Sequence, residues 1–146
     1  MKIKISIVTL FSKILIVFLF TSCGDFEGFG KFEQSYHVQI KDEKLIFKLE
    51  IWGISGNHSR VILTQKDELT PSFNEEEDYI FNGMLPMAFE VGLADTLHIY
   101  TFYAPQKPPR FKAETNIKIH ELEGYALKSL IKNQKSLTII DYPSSE

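Results

Sequence analysis

A strict two-residue alternation beginning at Tyr36 constrains this chain more than any other feature. In "YHVQI", Tyr36, Val38 and Ile40 fall on one side, with His37 and Gln39 on the other. In "KLIFKLEIW", Leu45, Phe47, Leu49 and Ile51 share a face opposite Lys44, Lys48 and Glu50. Successive side chains of a strand point to opposite faces, so this period describes half-buried β-strands rather than helices. The charged segment Lys41 to Lys44 is short enough to join the two runs as a hairpin.

Further runs repeat the signal. "RVILTQ" (Arg60 to Gln65) is rich in β-branched residues, "YIFNG" ends in the turn pair Asn82-Gly83, and "SLTIIDY" closes the body. "TLHIYTFYA" sets Leu97, Ile99, Thr101 and Tyr103 against His98, Tyr100 and Phe102. Bulk on both faces predicts a strand covered on both sides. "TNIKIHEL" alternates Ile117 and Ile119 with Lys118 and His120. In "ELEGYALKSLIKNQ" (Glu121 to Gln134) the period changes: Leu122, Tyr125, Ala126, Leu130 and Ile131 recur at helical spacing, with acids leading and lysines following. "APQKPPRFKAE" (Ala104 to Glu114) carries three prolines, which a strand interior does not admit, and reads as a long exposed loop. The expected fold is mainly β, an antiparallel sandwich or partly rolled sheet with one short helix in the C-terminal half.

Ahead of the body stands a leader with Lys2 and Lys4 at its start, an apolar core "ILIVFLF" (Ile14 to Phe20) and the small residues Thr21 and Ser22. That is the layout of a secretory signal peptide. A bilayer span needs about 20 apolar residues, and Lys13 interrupts the run well short of that. The single cysteine, Cys23, follows directly. "FTSC" resembles the lipobox of bacterial lipoproteins, and the Phe-, Ile- and Lys-rich style is similar to that of Bacteroidota leaders. The resemblance implies cleavage before Cys23, fatty acylation (palmitate or its like) of that residue, and anchorage to the outer membrane. Gly24 to Ser35, with three glycines and no periodic face, reads as a tether, so the chain divides into residues 1–22 as signal peptide, 23–35 as lipidated cysteine and flexible tether, and 36–146 as one β-rich domain. With the thiol acylated, no disulfide is available.

Two shorter resemblances concern address and decoration. Asp25 and Glu27 flank Phe26 and resemble the export signal that sends Bacteroidota lipoproteins to the cell surface, so the domain is expected to face outward. "DTL" resembles a Bacteroidota O-glycosylation sequon, with Thr96 as the acceptor. Removal of the leader takes Lys2, Lys4 and Lys13 and no acid, leaving 13 basic residues against 19 acidic and a net charge of −6. An acidic chain lacks the basic footprint that nucleic acid requires.

Residues able to carry chemistry are scattered. His37, His58, His98 and His120 are singly placed without metal-ligand spacing, and read as surface or half-buried strand residues. "NEEED" (Asn74 to Asp78) lacks the glycine and closing glutamate of a calcium loop and reads as solvated. Lys107, Arg110 and Lys112 could meet an acidic partner, and Trp52 at a strand end could stack on a glycan, though a corner of the core suits it better. No catalytic set, metal site or cofactor is expected. The functional expectation is a non-enzymatic binding module of the envelope with a protein or glycan ligand; the alternative is an immunity or inhibitor lipoprotein that neutralises a toxin or hydrolase.

Overall fold

The first alternating run, with the four residues ahead of it, forms β1 (Phe32–Ile40), and Glu43–Trp52 form β2, paired antiparallel from Phe32 opposite Ile51 to Ile40 opposite Glu43. The computed structural model describes residues 32–53, 56, 58–66 and 73–143. The hairpin turn is tighter than the sequence suggests: only Lys41 and Asp42 lie outside the strands, with Lys41 at a left-handed φ of 53°. β1 also begins four residues inside the segment expected to be tether.

β3 (His58–Thr64) and β4 (Tyr79–Asn82) complete the first sheet in the order β1-β2-β3-β4, antiparallel throughout. The chain then crosses to a second four-stranded sheet made of β5 (Met87–Val91), β6 (Thr96–Thr101), β7 (Asn116–Glu121) and β8 (Thr138–Ile140). Its order is β7-β6-β5-β8. One helix, α1 (Gly124–Asn133), lies between β7 and β8. The architecture is mainly β, two sheets with one short helix, a β-sandwich-like fold as the sequence predicts.

The alternating residues meet between the sheets. Leu45, Phe47, Leu49, Val61, Leu63 and Phe81 from the first sheet pack against Met87, Phe89, Leu97, Ile99 and Ile140 from the second. Phe47 and Phe89 stack across the interface at 4.4 Å between ring centroids. Burying one such side chain contributes roughly 1.5–3 kcal/mol, so this layer is the main stabilising term.

Several local expectations need correction. β5 has no counterpart in the sequence reading: "MAFEV" is short and poor in β-branched residues, yet it sits between β6 and β8 with Ala88 fully buried. β6 and β7 pair in parallel, Thr96 opposite Asn116 through Thr101 opposite Glu121, in an otherwise antiparallel set. Parallel neighbours need a crossover connection, and the proline-rich segment 102–115 supplies it. That segment is largely exposed, as expected, yet it is pinned to the fold: Pro108 is buried, Phe111 packs edge-on to Tyr79 at 4.8 Å, and Arg110 pairs with Glu76. Glu50, expected on a wet face, is buried and bonded to Arg60, whose Nε donates to Oε2 at 2.9 Å.

The helix also turns a different side inward. Leu127 is fully buried and Leu130 and Ile131 half-buried, whereas Tyr125 and Ala126 face out. Residues 127, 130, 131 and 134 are spaced i, i+3, i+4, i+7, a proper helical stripe. The helix starts only at Gly124, so Leu122 does not belong to it.

The registers define two ends of the sandwich. At the entry end, β1 and β3 start and β2, β4, β6, β7 and β8 finish; the Tyr142 hydroxyl lies 3.2 Å from that of Ser59 there, joining the sheets. At the turn end lie the β1–β2 turn and the β5–β6 connection, bridged by Lys41 and Asp95 at 2.9 Å.

Candidate functional site

Each of the two hairpin connections at the turn end bends through the left-handed region. Lys41 has φ 53° in one; Ala94 (φ 56°) and Asp95 (φ 54°) follow each other in the other, where Gly92 N–H closes the loop onto the Thr96 carbonyl at 2.8 Å. These are the three non-glycine residues with positive φ among the described residues, and all line one cleft of about 610 Å3. A non-glycine residue in this conformation costs roughly 1–2 kcal/mol, and strain of this kind concentrates at functional sites.

Glu43 holds the far wall. Its carboxylate accepts the backbone N–H groups of Glu114 (3.2 Å) and Thr115 (2.8 Å) and the Gln65 side-chain amide (2.5 Å), fastening the end of the crossover to the first hairpin. Burial alone would raise its pKa, but the bonds from Thr115, Glu114 and Gln65 outweigh that and hold the carboxyl below its ordinary range. The cleft is charged and mixed in sign: Asp42, Glu43, Asp95 and Glu114 face Lys41 and Lys112. Such a surface suits recognition by hydrogen bonds and ion pairs, with acids in excess.

A second polar cluster crosses the outer face of the β5–β8 sheet. The parallel register sets His98 opposite Lys118 and His120 opposite Tyr100, which places the two histidines diagonally on one face, His98 Nδ1 lying 2.9 Å from His120 Nε2. One nitrogen donates its proton to the other. His120 stacks on Tyr100 at 4.8 Å, and the Tyr100 hydroxyl donates to Glu90 at 2.9 Å. Glu90 also accepts from Gln134 (3.0 Å) and Ser136 (3.0 Å), tying the helix C-terminus to the sheet. Burial, then His98 and Lys118, hold the His120 imidazole below its ordinary value, with Glu90 opposing. Burial, then the Glu90 bond, raise the Tyr100 hydroxyl. Gly92 is needed where it stands: a Cβ there would meet the His98 ring at 2.7 Å.

A third grouping surrounds Trp52, which stacks on His58 at 5.7 Å while Arg60 lies 5.3 Å from its ring and 4.0 Å from that of Phe73. Trp52 thus stands at a corner of the fold with part of its ring open.

Cys23, Asp25 and Glu27 lie outside the described residues. Among the described residues no helix is long and apolar enough to cross a membrane. Thr96 opens β6 and is buried, so a glycan would have to reach its hydroxyl before the strand closes. In the acidic run, Asp78 is buried and accepts the Asn74 N–H at 2.8 Å, Glu77 pairs with Lys66 at 2.6 Å, and Glu76 pairs with Arg110. No group of three metal-ligating side chains assembles among the described residues. The His98–His120 pair escaped the sequence reading because 22 positions separate the two. The available signal was parity, since each occupies the polar face of its own strand. The cleft left none, because it joins turns distant in sequence.

No protein-family model, curated protein or solved structure matches this chain.

Proposed function

We propose that this chain is a small envelope lipoprotein, acylated at Cys23 and held to the outer membrane, whose β domain is a non-enzymatic binding module offering its turn-end cleft to a protein or glycan partner. The observation that carries the reading is the position of the cleft. β1 enters the fold at the opposite end, and its eight residue steps from Phe32 to Ile40 set the cleft about 27 Å farther from the anchor. A domain tethered through Cys23 would therefore direct its strained, charged turns away from the bilayer, where a partner can reach them. Asp25 and Glu27 beside the lipid favour display on the cell surface.

The second reading, an immunity or inhibitor protein, is favoured by the acid excess in the cleft and by the net charge of −6 after leader removal. Complementary charge speeds encounter with a basic toxin or hydrolase. A photocrosslinking residue in place of Asp42 tests both in intact cells. The binding reading expects an adduct from Asp42 and none from the same substitution at Lys118, on the outer face of the second sheet. If Asp42 gives no adduct, or both positions give the same one, the cleft is not the binding surface. An adduct abolished by Glu114→Lys selects the basic partner.

A further inference from the structure

The described residues leave four aromatic side chains exposed: Trp52 in part (36%), and Tyr103 (66%), Tyr125 (88%) and Tyr142 (46%) more fully. They come from four separate segments. Trp52 ends β2, Tyr103 follows β6, Tyr125 stands in the first turn of α1 and Tyr142 follows β8. The registers bring all four to the entry end. The exposed aliphatic residues do not join them: Val91 and Leu93 belong to the turn end, and Ile139 to the outer face of β8.

The length of chain ahead of the fold says what this end faces. Nine residue steps separate Cys23 from Phe32, a reach of at most about 30 Å even when fully extended. Trp and Tyr are the side chains that partition to a lipid–water boundary, with the ring in the apolar layer and the N–H or O–H wet. Charge narrows the lipid. Glu121, Glu123 and Asp141 are exposed at the same end, so an anionic headgroup would be repelled and a zwitterionic one accepted.

Resting on the reading of Cys23 as the lipid anchor, we propose that the entry end docks on the zwitterionic headgroup layer, with Trp52, Tyr103, Tyr125 and Tyr142 seated at the boundary. The tether keeps this surface at high effective concentration over the bilayer, so contacts individually too weak to recruit the domain suffice to orient it. Docking then fixes the sandwich upright and points the turn-end cleft outward. The chain becomes an oriented post rather than a domain tumbling on a leash.

The single tryptophan of the chain is its own probe. The full chain, expressed with its leader, is purified and reconstituted into phosphatidylcholine vesicles, with and without lipid spin-labelled near the glycerol. The lipidated protein floats with the vesicles, and the labelled lipid removes most of the Trp52 emission; a label at the end of the acyl chain does not. Tyr103→Ser combined with Tyr125→Ser, both at exposed positions, still floats but loses the quenching. A wild-type chain that floats while its Trp52 emission ignores the shallow label overturns the docking and leaves the anchor standing. A wild-type chain that does not float overturns the anchor, and the docking with it.

Discussion

Ile99 lies fully buried in the second strand of the β5–β8 sheet, and its environment sets the scale for single-residue effects. Ile99→Ala removes buried methylenes from a close-packed layer and is expected to cost about 2–5 kcal/mol in a denaturant titration. Arg60 stabilises through a different route. Its guanidinium bonds to buried Glu50 and lies over the Phe73 ring, so Arg60→Leu removes a charge-assisted hydrogen bond from a buried carboxylate. The expected cost is about 1.5–3 kcal/mol, as for a hydrogen bond to a charged group, and Glu50→Leu in the same background should recover part of it, because an apolar pair tolerates burial better than a weakened ion pair. His120 gives the fold a pH dependence of predictable sign. The folded imidazole holds its proton less tightly than the unfolded one, whose ordinary value is 6.5. As pH falls through that value the unfolded chain takes up the proton first, so stability declines from about pH 6.5 downward. Denaturant midpoints between pH 7.5 and 5 should fall for the wild type and fall less for His120→Gln. Glu43 acts in a lower window: its depressed carboxyl contributes above the ordinary carboxylate value and that contribution is lost as pH drops through the folded value.

Elements are held by faces and turns, and two substitutions separate the faces of α1. Leu127 anchors the helix to the sheet and Tyr125 does not. Leu127→Ala is therefore expected to cost about 2–5 kcal/mol, while Tyr125→Ala changes stability by no more than about 0.5 kcal/mol; equal costs would mean the helix packs by its other side. The helical period was legible in the sequence, but its phase was not. Tyr125 and Leu127 differ by 200° around the axis, and which of them faces the sheet depends on where the strands beneath it lie. The β5–β6 connection offers a test of the strain argument. Ala94 sits at φ 56°, and Ala94→Gly removes the clash of Cβ with the backbone at the expense of a more flexible unfolded chain. The expected net is a gain of roughly 0.5 kcal/mol in thermal or chemical unfolding. A loss there would mean that the left-handed bend is favoured by its surroundings.

The whole molecule, in the reading proposed above, is a lipid, a short tether and a sandwich whose two ends face different media. Acylation is tested by labelled fatty acid, which should enter the wild type and not Cys23→Ala; normal processing and release of that variant would remove the lipid from the scheme. Asp25→Ala with Glu27→Ala should leave the lipid in place but shield the domain from protease added to intact cells, and unchanged cleavage would make those acids part of the tether alone. How much of this could be read before folding follows from the range of each interaction. Alternation is a property of a few neighbouring peptides, so the strands at Tyr36–Ile40, Leu45–Ile51 and Leu97–Thr101, and the inward set that includes Leu45, Phe47, Leu49, Leu97 and Ile99, were determined by the sequence itself. Pairing is a property of segments far apart, decided by which closure buries the most apolar surface while satisfying every backbone group. That is why the strand identity of Met87–Val91, the parallel β6–β7 register, the contact of His98 with His120 and the gathering of Trp52, Tyr103, Tyr125 and Tyr142 at one end belong to the tertiary structure alone.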